Sequence, residues 1–229
     1  MNNTILKLEN INLTIKTHIL KDVSFEVLAE TLSIIGLNSK SSLLKIISIY
    51  TQTSKIYKNY NRSSYIPQKI DIDKTIPILT IELVKIYNPN IKKEDIIKEF
   101  QKINENILQK QVRNLSGEFQ KMLIISCILQ KPDLLLLDEP TSVDMIAEEL
   151  FYEIINDIKQ IYNNITIILV SHNINLVYKN SDKIICLHEN NFCCHGTPVN
   201  IFKNEKVKSI FKFLIPYIHS PNDKTLHNK

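Results

Sequence analysis

The sequence predicts an α/β fold built on a mostly parallel sheet. Three observations carry this reading. Apolar runs of strand length recur: "TLSIIG" at 31–36, "DLLLLDEP" at 133–140, "ITIILVSHN" at 165–173 and "KIICLHE" at 183–189. They lack an alternating polar face, as strands buried on both sides do in parallel sheets. Segments of helical period lie between them, so strand–helix–strand order repeats. Polar and titratable residues also gather where these runs end, and open α/β sheets bind ligands at the carboxyl ends of their strands.

The elements follow in chain order. "ILKLENINLTI" and "ILKDVSFEV" alternate in places and read as N-terminal strands, an antiparallel β part preceding the core. "TLSIIG" is a buried strand, and Leu43, Leu44, Ile46 and Ile47 place an apolar stripe on a helix over 41–49. Residues 51–64 are polar without a strong period, and "SSYIPQK" is a short strand ending at Pro67. Thr80 caps a helix carrying Ile81, Leu83, Val84 and Ile86, which Pro89 breaks. "KKEDIIKEFQKINENILQK" continues helical, with Ile96, Ile97, Phe100, Ile103 and Ile107 as its apolar positions. A helix over 118–130 stops near Pro132, and Ile146, Leu150, Phe151, Ile154, Ile155, Ile158 and Ile161 mark an amphipathic helix over 144–161. There is no internal repeat.

Bulk properties narrow the function classes. The chain has 229 residues, 44% of them apolar, which suits one large α/β domain with a modest subdomain. A net charge of +4 without a long Lys/Arg tract gives no support to a nucleic-acid partner, and the lysine-rich C-terminal end reads as a solvated tail. "MNNTILKLEN" lacks the pattern of a signal peptide, and the longest apolar segment, "MLIISCIL", is far short of a membrane span. The expectation is a soluble chain, with a membrane partner left open. The cysteines at 127, 186, 193 and 194 suit no simple disulfide framework and fit a reduced cytoplasm.

Chemistry concentrates in an ordered series. Gly36, Leu37, Asn38, Ser39, Lys40, Ser41 and Ser42 lie between a strand and a helix, the slot of a phosphate-binding loop. Gln68 ends a strand, where its amide can touch a metal or water. Ser116 and Gly117 precede a helix whose first N–H groups can bind phosphate; taken alone, they read more simply as an ordinary helix cap. Asp138 and Glu139 end a buried strand, one acid placed to hold Mg²⁺ and the next to orient a water. His172 ends the neighbouring strand, within reach of a terminal phosphate.

In this order the motifs resemble the nucleotide-binding ATPase subunit of ATP-binding cassette (ABC) transporters, from about residue 5 to 205. The resemblance implies a P-loop NTPase fold of that type, a mostly parallel core with the antiparallel N-terminal part and a small helical subdomain. The implied parts are 1–78 with the phosphate loop, 79–115 as the helical subdomain, 116–205 completing the core, and 206–229 as the tail. It also implies ATP and Mg²⁺ as cofactors. Lys40 becomes the loop lysine, and Ser41, Gln68 and Asp138 lie at Mg²⁺. Ser116 and Gly117 contact ATP held by the opposite subunit, and Asp144 meets the twin subunit. Glu139 is the general base and His172 the switch histidine. Gln68 couples the site to a membrane permease. The implied assembly is a homodimer on an integral-membrane permease, at the cytoplasmic face of the plasma membrane, served indirectly by a periplasmic or extracellular metal-binding protein. "YIPQKIDIDKTIPILTIELV" and "IICLHENNFCCHGTP" are similar to segments of bacterial zinc-uptake ATPases, which implies zinc, or manganese, as cargo. An inactive cassette with a structural role, and a soluble ABC ATPase without a permease, are the alternatives.

The departures from that pattern share one character. The chain holds 3 glycines, at 36, 117 and 196, where average usage near 7% would give roughly sixteen. The loop matches G-x-x-x-x-G-K-[ST] if a glycine is restored on each side of Ser39, and "LSGEFQK" matches the family signature if one more is restored. Two residues fewer shorten the loop by up to ~7 Å of extended chain. Glycine also permits the torsions that aim successive N–H groups at phosphate. Weakened ATP binding is the expectation. Near Leu13–Ile15, where relatives often stack an aromatic ring on adenine, there is none. Cys186, His188, Cys193, Cys194 and His195 are dense enough in soft ligands to suggest a zinc site, although adjacent cysteines rarely serve one tetrahedral ion.

Overall fold

The computed structural model describes residues 4–15, 18–36, 39–49, 55–68, 73, 75–99, 104–115, 118–139, 145–162, 164–188 and 191–211. In chain order the strands are β1 (Leu6–Ile15), β2 (His18–Val27), β3 (Thr31–Gly36), β4 (Ile56–Lys58), β5 (Ser63–Ile66), β6 (Leu134–Asp138), β7 (Thr166–Val170), β8 (Lys183–His188) and β9 (Asn191–Gly196). The helices are α1 (Lys40–Ile49), α2 (Thr80–Tyr87), α3 (Lys93–Glu99), α4 (Glu105–Gln109), α5 (Glu118–Ile128), α6 (Met145–Ile161), α7 (Ile174–Asn180), α8 (Pro198–Lys203) and α9 (Glu205–Ile210).

These strands join in one sheet of order β4-β1-β2-β9-β8-β3-β7-β6-β5. The run β8-β3-β7-β6-β5 is parallel, while β1 pairs antiparallel with β2 and β4, and β9 with β8. The predicted α/β class, with its antiparallel N-terminal part, is the fold observed.

Alternation within the apolar strands explains why no polar face was needed. Leu134 and Leu136 of β6, with Ile168 and Val170 of β7, pack beside Leu43, Leu44, Ile46 and Ile47 of α1. Leu135 and Leu137, with Ile167 and Leu169, pack on the other face beside Ile125 and Ile128 of α5 and Ile154, Ile155 and Ile158 of α6. A third cluster, Ile35, Ile184 and Cys186 beneath α7–α9, closes the side of β8. Full burial of one such Leu or Ile side chain stabilises by about 1.5–3 kcal/mol, so helices on both faces are what hold the sheet.

The sheet register also aligns the strand ends. Ile34 pairs with Val170, Asp138 with Val170, and Ile66 with Leu137. The segments leaving β3, β5, β6 and β7 therefore emerge along one edge.

Several local expectations are corrected. Within 51–64, Ile56–Lys58 form β4, because Leu6, Lys7 and Leu8 of β1 offer pairing partners that sequence period cannot reveal. The helix expected to run through 92–110 is not continuous: Asn104 is non-helical (φ −70°, ψ 123°) and caps α4, its side chain accepting from the Asn106 N–H. Thr80 does not cap α2. Its hydroxyl donates to the Lys110 carbonyl at 2.9 Å, and the Glu82 carboxylate instead accepts from the Leu79 N–H at 2.7 Å. The solvated tail does not start at 206, since Val207 and Phe211 are buried against the third cluster. Among the described residues, no helix is long and apolar enough to cross a membrane.

Candidate functional site

The carboxyl edge of the sheet gathers Lys40, Ser41, Gln68, Asp138, Glu139 and His172. Gly36 ends β3 at φ +152°, and a Cβ there would lie 2.3 Å from the Leu187 carbonyl oxygen, so the position is closed to larger residues. Ser39, buried, takes φ +65°, and its carbonyl accepts the first α1 hydrogen bond from the Leu43 N–H at 3.0 Å. Ser39 thus holds the left-handed conformation that glycine adopts most readily. Ser42 lies half-buried in the first turn of α1.

Lys40 opens α1 with its side chain 4% exposed. Its Nζ donates to the Gly36 carbonyl at 2.6 Å and lies 3.6 Å from Glu139 Oε1. Burial pushes the Lys40 pKa below its ordinary value; the Glu139 and Asp138 carboxylates oppose that shift.

Asp138, 2% exposed at the end of β6, has a donor on each oxygen. The Ser41 hydroxyl donates to Oδ1 at 2.7 Å and the Tyr65 hydroxyl to Oδ2 at 3.0 Å. Tyr65 was not singled out from sequence, where it reads as one more apolar residue of a short strand. Its phenol pKa is pushed up, first by burial and then by Asp138.

Glu139 follows at φ +43°, its N–H held by the Val170 carbonyl at 3.1 Å, and this twist turns its side chain out of the strand line. Gln68 Nε2 donates to Oε2 at 2.7 Å. His172 Nε2 lies 2.5 Å from Oε1. His172 itself is 59% exposed while Glu139 is 14% exposed, so the contact joins a solvent-facing imidazole to a sheltered carboxylate. Beneath it, the Ser171 hydroxyl accepts from the Asn173 N–H at 3.1 Å.

Leu37, Asn38, Ser116, Gly117 and Asp144, named from sequence, lie outside the described residues. Of the Cys/His-rich segment, Cys186 is buried in β8, Cys194 is partly exposed in β9, and the side chain of Cys193 lies outside the described set. Among the described residues, no three His, Cys, Asp or Glu side chains are grouped to hold a metal ion.

A buried lysine at a helix start, a Ser–Asp pair of hard oxygen donors beside it, and a carboxylate gathered by an amide and an imidazole form one compact polar site. Residues 20–142 match the ABC transporter family. The chain belongs to that family.

The cassette is 36% identical over 217 residues to a zinc import ATP-binding protein of Wigglesworthia glossinidia brevipalpis, covering 86% of this chain and 92% of that one. It is 34% identical to a protein of the same name from Ehrlichia chaffeensis, covering 92% and 91% of the two chains. Its fold matches a nucleotide-free ATP-binding cassette from an ABC transporter with a TM-score of 0.74, covering 91% of this chain and 98% of that one at 18% identity.

Proposed function

We propose that the chain is the ATP-hydrolysing subunit of a zinc importer, binding ATP with Mg²⁺ and driving a membrane permease. The observation that carries this is Glu139, to which Gln68 and His172 both hydrogen-bond while Lys40 stands 3.6 Å away. The names of the relatives supply the cargo.

The residues present fit the cofactors. The N–H groups opening α1 and the ammonium of Lys40 suit the β and γ phosphates. Ser41 Oγ and the Asp138 carboxylate, 2.7 Å apart, are hard oxygen donors of the kind Mg²⁺ takes. Bound there, Mg²⁺ would neutralise charge developing on the phosphate oxygens. Signature residues Ser116 and Gly117 would serve the ATP of a twin subunit, with Asp144 at that interface.

In the hydrolytic step Glu139 accepts the proton of the attacking water. Gln68 and His172 hold one carboxylate oxygen each, which fixes the orientation of the base. Lys40 leaves the Gly36 carbonyl for the phosphates, replacing a neutral acceptor by a charged one. Gln68 therefore touches the base directly and reports permease movement to it. Ile76 and Ile86, 52% and 65% exposed on the segments after Gln68, provide an apolar contact for that permease.

The test uses the purified chain and Glu139→Gln. The variant should retain Mg·ATP binding while hydrolysis falls by about 10²-fold or more. Hydrolysis undiminished in the variant rejects Glu139 as base. For the cargo, cells lacking the gene should fail to grow on limiting zinc and recover with added zinc; recovery with manganese alone rejects zinc.

A further inference from the structure

Away from the nucleotide site, the sheet brings a pair of cysteine side chains together. Cys186 of β8 and Cys194 of β9 are register partners across an antiparallel pair. Directly opposed residues of such a pair hold their Cβ atoms about 4.5–5.5 Å apart, closer at non-hydrogen-bonded positions. A disulfide spans roughly 3.5–4.5 Å between Cβ atoms, so opposed positions of such a pair lie near bridging distance. Both cysteines are thiols, and both pack with the cluster of Ile35, Ile174, Val177 and Ile184. Cys186 is fully buried and Cys194 partly exposed, so one sulfur is reachable and the other sheltered.

We propose that Cys186 and Cys194 form a reversible cross-strand disulfide, a modification site that bears on the phosphate loop. A metal ion suits this pair less well. Zinc needs more ligands than the described groups supply, and a monovalent ion on two thiolates would leave net charge in an apolar cluster. A disulfide is neutral.

The oxidant is a low-molecular-weight disulfide such as oxidised glutathione. The Cys194 thiolate attacks one glutathione sulfur, forming a mixed disulfide and expelling a glutathione thiolate, which takes the proton lost from Cys194. Cys186 Sγ then attacks Cys194 Sγ and expels the second glutathione sulfur, to which the Cys186 proton passes as the bond forms, so that no charge is left in the cluster. Two thiols are oxidised, one disulfide is reduced, and two glutathione thiols leave.

The link to the loop runs through the next residue. Leu187 pairs with Gly36, and its carbonyl oxygen occupies the space a Gly36 Cβ would need. The β8–β9 register shifts between Cys186 and Leu187, so the ladder is irregular at this step. Drawing Cys186 toward β9 moves the Leu187 carbonyl relative to the residue that begins the loop.

The experiment treats the full-length chain with oxidised glutathione, maps disulfides by mass spectrometry, and follows hydrogen exchange over residues 34–44. Cys193→Ser is tested in parallel, because Cys193 adjoins Cys194. A Cys186–Cys194 bond in both proteins, with altered exchange at 34–44 that a reductant reverses and that Cys194→Ser lacks, is the expected result. Absence of that bond in the folded chain, a bond through Cys193 instead, or exchange at 34–44 unchanged by oxidation overturns the proposal. These readouts need no nucleotide, so they stand apart from the test of ATP hydrolysis.

Discussion

Gly36 and Ser39 bracket the short loop, and they bear opposite strains. At Gly36 a methyl group would meet a backbone oxygen at 2.3 Å, and neither partner is a side chain that can swing away. Gly36→Ala should therefore cost about 3 kcal/mol or more, read as a drop in the urea midpoint; an unchanged midpoint would mean that β8 yields. Tyr65→Phe removes the donor to Asp138 Oδ2 at a site 2% exposed. It should cost about 1–3 kcal/mol and raise the Mg²⁺ concentration needed for nucleotide binding, whereas stability loss without a Mg²⁺ effect would make Tyr65 a packing residue only. Lys40 gives a pH signature. Its native pKa is depressed, so below it both states are protonated and the full cost of burying the ammonium is present. Between that pKa and the ordinary 10.5 the unfolded chain binds more protons, and stability rises with pH. The stability of the wild type relative to Lys40→Met should thus climb as pH rises toward 10.5, and a flat difference would show that Lys40 is not penalised. Of these residues Lys40, Asp138 and Glu139 were legible in sequence, because strand-end motifs announce them. Tyr65 was not, since only the pairing of β5 with β6 brings its hydroxyl to the carboxylate.

Among the elements, legibility followed length and period. The runs that became β3, β6, β7 and β8 are mostly apolar, and α6 carries an uninterrupted helical stripe, so both types were readable. β4 has three residues and owes its existence to the edge that β1 offers. β9 reads "NFCCHG", with no alternation to mark it, and it is placed by its ladder with β8. The break before α4 was hidden because apolar positions on both sides keep helical spacing, while the Asn104 cap is a local hydrogen-bond choice. Burial within α5 has a chemical consequence. It raises the Cys127 thiol to about 12, leaving almost no thiolate at neutral pH. Iodoacetamide at pH 8 should leave Cys127 unmodified in the native chain and alkylate it in urea. Native labelling at Cys127 would show that α5 opens away from the core beside it.

At the scale of the whole molecule, the sheet and its two helical layers stand without the missing glycines, and the residues of the site still converge. The core needs apolar alternation, which the sequence keeps. The phosphate loop is two residues shorter than its motif and carries a serine, Ser39, in the left-handed conformation that glycine adopts most readily, so the deficit should fall on ligand binding rather than on folding. Restoring one glycine on each side of Ser39 separates the two. Both chains should unfold cooperatively without nucleotide. With Mg·ATP at 100 times the dissociation constant of the restored chain, that chain should gain about 2.7 kcal/mol, a rise in melting temperature of about 5–10 °C for a domain of this size. The unaltered chain, binding more weakly, should gain clearly less at the same concentration, because the stabilisation grows with the logarithm of one plus the ratio of ligand concentration to dissociation constant. Equal shifts in the two chains would mean that Ser39, in its left-handed conformation, and the opening turn of α1 already cradle the phosphates, and that loop length does not limit this cassette.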